Sequence, residues 1–188
     1  MGRRVSGLML SLIVVSMTLS GCISSKENSS NDDIDEAPEL ILPYFEKDGY
    51  RCFEHDEHER CWITYVPEIV NGSELVPLII DLHGWSLSAF EQREISGFDE
   101  IAEEYGAILL NPEGLALGGD PTTGGSEESW NAGWCCADAV ANDIDDLGFL
   151  NQLIDIAIEI HPVDPNRVYV TGWSNGCAMS YYLPFHSS

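Results

Sequence analysis

The residues best suited to chemistry lie in the run Gly-Trp-Ser-Asn-Gly at 172–176, directly after an apolar segment of β type at 168–170. A serine hydroxyl is a poor nucleophile unless a base can reach it and a backbone N–H can meet the developing oxyanion. A sharp turn from a strand into a helix provides both conditions, and flanking glycines leave room for it. The pattern therefore predicts a nucleophile elbow with Ser174 as the nucleophile. The alternative interpretation is an ordinary loop between a strand and a helix.

A second point of interest is the pair His83-Gly84, which ends the apolar run at 75–82. Such a run, with little polar alternation, is typical of a strand covered on both faces in a largely parallel sheet. Ligands bind at the carboxyl ends of strands in these sheets, and a glycine there indicates a close approach of the backbone. His83 is one candidate for a general base, but its position favours a role in shaping the loop after the strand.

The segments between these two points alternate between helical and extended patterns. Apolar residues at helical spacing predict a helix over 98–105, and a short strand follows at 107–110. The stretch 115–129 has no periodicity and predicts a long loop, and a second helix begins near 142. This order of elements predicts an α/β fold with a mostly parallel sheet and crossover helices.

Three acidic residues stand where the second helix begins: Asp143, Asp145 and Asp146. An acid in this part of the chain could be taken for the acid of a catalytic triad. Negative side chains near a helix N-terminus are stabilised by the helix dipole and can cap its free N–H groups. Helix-start electrostatics explains the three residues without a catalytic role, and we prefer that interpretation.

The composition limits the classes of partner. The chain has 188 residues, 44% of them hydrophobic, which is enough for one domain with a core. Its 8 Lys and Arg residues stand against 32 Asp and Glu residues, and the formal net charge is -24. A surface of that charge repels nucleic acid and anionic lipid headgroups, so we expect no nucleic-acid partner.

The N-terminus has the pattern of an export signal. A short basic region and a nearly unbroken apolar stretch at 8–19 precede Leu-Ser-Gly-Cys, which ends at Cys22 and resembles a prokaryotic lipoprotein signal. We predict a signal peptide over 1–21, a lipidated Cys22 that anchors the chain to a membrane, and a cell-surface or extracellular location. The alternative is an ordinary cleaved signal with a chance cysteine. Residues 22–39 are polar and acidic and predict a disordered tether, which leaves 40–188 for the folded domain.

Cysteine usage agrees with export. Cys52 and Cys61 bracket a polar turn and lead into a strand, so their spacing predicts a disulfide that closes a hairpin in an oxidising compartment. The competing interpretation is a metal site, because His55, Asp56 and His58 lie between the two thiols. Zinc sites more often use tightly spaced pairs of ligands, and exported thiols are usually oxidised. We therefore predict the disulfide, and neither a metal nor another cofactor.

Four collinear motifs resemble the polyhydroxybutyrate depolymerase and feruloyl esterase group of secreted α/β-hydrolases. The resemblance covers roughly residues 45 to 183, and four linked motifs are far more specific than the serine pentapeptide alone. The motifs are Pro77–Gly84, Trp130–Cys136, Asp145–Leu150 and Asp164–Gly176.

The resemblance implies an ester hydrolase that forms an acyl-enzyme on Ser174, without a cofactor. It implies that the backbone N–H groups of Asn175 and Trp85 form the oxyanion hole. Its substrates would be esters of hydroxy acids, or feruloyl and acetyl esters of polysaccharides, and could be polymeric. Four residues are expected to line the substrate site: His83, Gly84, Trp134 and Trp173.

The resemblance also places the loop of Cys135 and Cys136 beside the nucleophile. Cys177 follows Ser174 by three positions, so we predict one disulfide from this pair, assigned to Cys136, to Cys177. Which of the two partners is used stays open. If Cys22 is lipidated and Cys52 is joined to Cys61, one thiol is left free.

The expected catalytic acid and histidine are not found after the serine, although chain order in these hydrolases is Ser, then Asp or Glu, then His. Pro184 is expected to end the elbow helix early. His186 would lie roughly 18 Å from the serine along a continuing helix, too far for a general base. Two hypotheses follow: an esterase truncated after the elbow, inactive or weak as it stands, or a non-catalytic lipoprotein with an ester- or polysaccharide-binding cleft. A third possibility is a serine peptidase on the same scaffold, which would have the elbow in common with this chain but not the other motifs.

Overall fold

The computed structural model describes residues 42–122 and 127–187. The predicted signal peptide at 1–21, the lipidation site Cys22 and the tether at 22–39 lie outside the described residues. Within them, six strands form one sheet: β1 (Phe45–Lys47), β2 (Tyr50–His55), β3 (His58–Tyr65), β4 (Val76–Leu82), β5 (Ile108–Pro112) and β6 (Val163–Gly172). The helices are α1 (Ala89–Ser96), α2 (Phe98–Tyr105), α3 (Ala137–Ala141), α4 (Asp146–Ile160) and α5 (Asn175–His186).

The sheet is mixed, with strand order β1-β2-β3-β5-β4-β6. β4 pairs in parallel with both β5 and β6, whereas β1, β2, β3 and β5 pair antiparallel along the other half. The expectation of a mostly parallel sheet was therefore wrong for the described residues. Tight turns can join only antiparallel strands, and the first three strands are joined in this way, while β4, β5 and β6 are linked through helices.

The core lies on the two faces of β4. Leu78, Ile80 and Leu82 point to one face, where α4 and α5 cover them, and Ile79 points to the other, against α2 and β5. Every one of these side chains is buried, which explains why the strand reads as a continuous apolar run. The apolar residues that α4 and α5 add to the main core are Phe149, Leu150, Leu153, Ile156, Ala157, Met179 and Leu183.

The second predicted helix begins later than expected. Residues 137–141 form the short helix α3, and α4 starts at Asp146, with Asp145 as its N-cap. The Asp145 carboxylate accepts a hydrogen bond of 2.9 Å from the backbone N–H of Gly148. Helix capping is therefore confirmed as the role of Asp145, because its carboxylate satisfies one of the free donors of the first turn.

Helix α5 continues through Pro184 to His186, so the expectation that the proline ends the helix was wrong. Pro184 lies in the last turn, where it removes only one N–H donor. The backbone N–H and the hydroxyl of Ser187 both donate to the carbonyl of Leu183, which holds this last turn in place. No helix within the described residues has the length and apolar character needed to cross a membrane.

The predicted disulfide between Cys52 and Cys61 is confirmed. The two residues face each other across β2 and β3, with 4.1 Å between their Cα atoms, and both are buried. The bond therefore ties the two strands together at the middle of the hairpin.

Replacement of both Cys52 and Cys61 by alanine should lower the free energy of unfolding by about 2.5 kcal/mol, because a bond across a separation of 9 residues restricts the unfolded chain. Urea unfolding of the oxidised proteins measures this difference. Cys177→Ala removes an exposed free thiol and is the matched control, with an expected change within about 0.5 kcal/mol. Equal stability of the double variant and the parent would contradict the prediction.

Candidate active site

The segment around Ser174 has the geometry of a nucleophile elbow. Ser174 has φ 52° and ψ -110°, a positive φ that few non-glycine residues adopt, and α5 begins at the next residue. A Cβ atom on Gly172 would lie 2.6 Å from the carbonyl oxygen of Leu82, and one on Gly176 would overlap the same oxygen. Only glycine fits at these two positions, because the end of β4 touches both sides of the turn.

The exposed Ser174 lies beside two unused backbone donors. No hydrogen bond within the described residues uses the N–H of Asn175 or the N–H of Trp85. A Cβ on Gly84 would lie 3.5 Å from the Cβ of Ser174, so the loop after β4 lies directly against the elbow. The predicted oxyanion donors are therefore free, and their role stays a prediction.

The side chain of Asn175 has a second use that the sequence did not suggest. Its amide oxygen accepts the backbone N–H of Trp130 at 2.7 Å, and its nitrogen donates to the carbonyls of Trp130 at 3.0 Å and Cys135 at 3.3 Å. The indole N–H of Trp130 in turn donates to the carbonyl of His83 at 2.9 Å. Asn175 thus ties the loop 130–136 to the elbow.

His83 does not line a substrate site, contrary to the prediction. Its side chain is fully buried, and its ring nitrogens are both used inside the protein. Nε2 accepts the backbone N–H of Gly114 at 2.7 Å, so Nδ1 carries the proton and donates to the carbonyl of Gly84 at 2.8 Å. Burial lowers the pKa of His83 to about 4. The neutral imidazole holds the start of the loop after β4, which agrees with the shaping role.

Glu113 is a buried acid beneath the same loop. Its Oε2 accepts the backbone N–H of Ala89 at 2.9 Å, and its Oε1 has no hydrogen-bond partner and lies 3.3 Å from Nε2 of His83. Burial raises the pKa of Glu113 to about 8, and the nearby Glu128 adds to this shift. The acid is therefore neutral at pH 7, next to a neutral imidazole.

Glu113→Gln should stabilise the protein in a pH-dependent way. In the folded chain the pKa is about 8, above the usual 4.5, so the unfolded chain releases this proton first and stability falls as pH rises from about 4.5 to about 8. The variant should match the parent near pH 4 and exceed its stability at pH 8 by at most about 5 kcal/mol. Urea unfolding across this range measures it. Glu94→Gln, at an exposed position on α1, is the control, and a gain that is independent of pH would contradict the cause.

A buried ion pair anchors the other side of the loop 130–136. The guanidinium of Arg60 donates to Oδ1 of Asp146 at 2.5 Å, and both side chains are buried. Oδ2 of Asp146 accepts the backbone N–H of Asn131 at 2.7 Å, and Arg60 lies 4.0 Å above the ring of Phe149. Asp146 therefore does more than stabilise a helix start. Nothing in the sequence distinguishes this role of Asp146 from the capping role of its neighbour Asp145.

Asp146→Asn should destabilise the protein by about 3–5 kcal/mol, because it leaves the buried Arg60 unpaired while the acceptor for Asn131 remains. The double variant Arg60→Met, Asp146→Asn should recover most of that loss, since no buried charge is left. Asp164→Asn, which breaks a partly exposed pair with Arg167, should cost less than about 1 kcal/mol. Chemical unfolding of the parent, of Arg60→Met, of Asp146→Asn and of the double variant measures the coupling, and additive effects of the two single changes would contradict it.

A cleft of about 530 Å³ opens beside the nucleophile, and we call it the α5 cleft. Trp134, whose side chain is 77% exposed, forms the wall opposite the helix. Trp173 is also exposed but does not line the cleft, and Gly84 is buried against Trp173 and Ser174. Of the four predicted lining residues, only Trp134 lines it. The full lining is Trp134, Ser174, Cys177, Ala178, Tyr181, Tyr182, Phe185 and His186.

The structure does not show the predicted disulfide between Cys136 and Cys177. Cys177 is an exposed free thiol, and Cys135 and Cys136 lie side by side. Cys177 lines the α5 cleft from the first turn of α5, and the hydrogen bond from Asn175 holds the backbone of Cys135 against the elbow. The thiol expected to stay free was the unused member of the pair Cys135 and Cys136, whereas Cys177 is the free thiol within the described residues.

None of the five histidines of the chain forms a hydrogen bond with Ser174 within the described residues. His55 bonds to Asp145 and Gln152, and His161 contacts Arg51. His83 is buried, and His186 bonds to a carbonyl of its own helix. The elbow therefore presents the predicted nucleophile and free donors without a base in hydrogen-bond contact.

The mixed sheet, the helices on both faces and the elbow after β6 define an α/β-hydrolase-like fold. The crystal structure of native sOPH aligns with a TM-score of 0.61 at 19% sequence identity, over 80% of this chain and 50% of that one. At this identity the likeness shows the fold alone.

The proteins that the chain matches in sequence are esterases, and the similarity is distant. The chain is 32% identical to feruloyl esterase B of Piromyces equi over 120 residues, which is 64% of this chain and 20% of the relative. It is 31% identical over 107 residues to NocK of Nocardia uniformis subsp. tsuyamanensis, described as an esterase, over 57% of this chain and 28% of the relative. No protein-family profile matches the chain. The chain thus spans about a quarter of the relatives' length and is distantly similar to carboxylic ester hydrolases of the serine esterase type.

Proposed function

We propose that the chain carries the nucleophile and oxyanion hole of a serine carboxylic-ester hydrolase. The observation that supports this most directly is the conformation of Ser174, exposed at the start of α5 with the N–H groups of Asn175 and Trp85 unused beside it. A carbonyl carbon attacked by Ser174 would place its oxyanion toward these donors, and removal of one such donor typically costs about 10²–10³-fold in rate.

The acyl-enzyme on Ser174 is the central intermediate of this proposal. The serine oxygen attacks the ester carbonyl, the tetrahedral species collapses with loss of the alcohol, and water then releases the acid. Both steps need a general base and its partner acid, and no histidine of the described residues forms a hydrogen bond with Ser174. Without them the chain would have at most weak activity, since the oxyanion hole and binding alone remain.

The substrates we propose are esters of hydroxy acids, or feruloyl and acetyl esters of polysaccharides. Feruloyl esterase B, a relative of the chain, supports this choice by its name, and the aromatic wall at Trp134 suits an apolar acyl group. We further propose that the protein is exported and anchored to a membrane through Cys22. This last step depends on the sequence pattern at residues 1–22 alone.

Rescue by free imidazole tests the function. The chain should release p-nitrophenol slowly from p-nitrophenyl acetate, and added imidazole should raise the protein-dependent rate by about ten-fold, a part of what a built-in general base supplies. Intact-mass measurement should show an acetyl group on Ser174. Ser174→Ala should show neither the adduct nor the rescue, and Ser180→Ala, on the same helix outside the cleft, should behave as the parent. Equal rates for Ser174→Ala and the parent would overturn the proposal and favour a non-catalytic binding protein.

A further inference from the structure

The N–H of Trp85 and the carbonyl of Gly84 belong to one peptide group. Because a peptide group is planar, the orientation of this carbonyl fixes the direction in which the N–H points. Two donors hold the carbonyl: Nδ1 of His83 at 2.8 Å and the backbone N–H of Leu87 at 3.1 Å. His83 thus helps to orient the peptide that carries one of the two unused donors beside Ser174.

The hold on this peptide depends on which ring nitrogen of His83 carries the proton. Nδ1 of the neutral ring can donate to Gly84 only while Nε2 is unprotonated, and the N–H of Gly114 donates to that nitrogen at 2.7 Å. The other tautomer would place the lone pair of Nδ1 against the carbonyl oxygen of Gly84. It would also place an N–H of the ring against the N–H of Gly114. The position of one proton therefore decides whether the peptide is held.

The carboxyl group of Glu113 faces the nitrogen that must stay unprotonated. Its Oε1 lies 3.3 Å from Nε2 of His83 and has no hydrogen-bond partner within the described residues, and both side chains are fully buried. Its Oε2 accepts the N–H of Ala89, the first residue of α1, so the acid also holds the far end of the loop after β4. A neutral acid is compatible with the lone pair on Nε2. A carboxylate would repel that lone pair and favour a proton at Nε2 instead.

The other ionisable groups around Glu113 do not neutralise a negative charge on it. The hydroxyl of Tyr50 on β2 lies 3.4 Å from Oε2, and burial together with the nearby Glu113 raises the pKa of this phenol, so it stays uncharged. Burial raises the pKa of Glu113 most, and the acids Glu128 and Glu91 raise it further. Arg60 on β3 forms its buried ion pair with α4. No lysine or arginine in the described part of the chain pairs with Glu113.

We propose that Glu113 is a positioning residue for the oxyanion hole: as a neutral acid it keeps the proton of His83 on Nδ1 and so keeps the N–H of Trp85 directed at the oxyanion. The inference rests on the proposed ester hydrolysis at Ser174 and adds a control of one of its donors. When Glu113 loses its proton to solvent, His83 takes up a proton at Nε2 and releases the one at Nδ1, so the ring stays neutral. The carbonyl of Gly84 then turns away from Nδ1, and the N–H of Trp85 turns with it. Because the pKa of Glu113 is about 8, the change falls in the mildly alkaline range.

The tautomer of His83 can be measured by long-range ¹H–¹⁵N NMR of the chain labelled with ¹⁵N-histidine, since protonated and unprotonated ring nitrogens differ in ¹⁵N shift. In the parent the proton should lie on Nδ1 at about pH 7 and on Nε2 at about pH 9, with a midpoint near pH 8. Glu113→Gln should keep it on Nδ1 at both, because an amide does not ionise and its NH₂ can donate to Nε2. Glu94→Gln, at an exposed position on α1, is the control and should titrate as the parent. A proton that stays on Nδ1 in the parent, or a titration that survives in Glu113→Gln, would overturn the inference.

The rate of Ser174 acetylation by p-nitrophenyl acetate provides a readout that a purely structural role of Glu113 would not change. At a constant concentration of unprotonated imidazole, the rate of the parent should fall about ten-fold from about pH 7 to about pH 9, since about a tenth of the acid stays protonated one unit above its pKa. Glu113→Gln should keep a constant rate, and an equal fall in this variant would contradict the positioning role. If Ser174 is not the nucleophile, no acetylation occurs at any pH while His83 still titrates, so the two proposals fail separately.

Discussion

The carbonyl oxygen of Leu82 at the end of β4 is the point on which the site depends. It accepts the backbone N–H of Trp173 at 3.0 Å, and it lies against both Gly172 and Gly176. This contact places the end of β4 directly against the elbow. The loop after β4 therefore begins beside Ser174, and its free N–H groups cannot move away without separating two parallel strands.

The elements that could be predicted from the sequence are those whose signals are local. The apolar run at 75–82 forms β4, and the helical spacing at 98–105 coincides with α2 (Phe98–Tyr105). The elbow follows from glycine chemistry, since a turn this tight admits no Cβ at 172 or 176. Helix α1 was missed because its apolar residues, Phe90 and Ile95, are largely exposed. Its capping box, in which Ser88 and Glu91 bond to each other's backbone, was a usable signal.

The buried polar network could not be predicted from local patterns. Arg60 and Asp146 are 86 positions apart, and His83 and Gly114 are 31 apart. Charged residues are usually exposed, so the sequence alone would assign Arg60 and Asp146 to the surface. Only the fold shows that they form a buried pair. The adjacent Asp145 and Asp146 cannot be told apart from the sequence, although their environments in the fold differ. One caps a helix at the surface, and the other is fully buried, because successive residues of a helix start point in different directions.

Asn175 ties the loop 130–136 to the elbow helix. Its backbone N–H faces the place where the oxyanion would form, while its buried side chain makes three hydrogen bonds to the loop. These bonds hold the loop against the start of α5. Ser174 and the loop that carries Trp134 are thus held together through one residue, so the wall of the cleft and the serine keep a constant distance. A constant distance between a reacting group and the surface that binds its substrate is what positioning in catalysis requires.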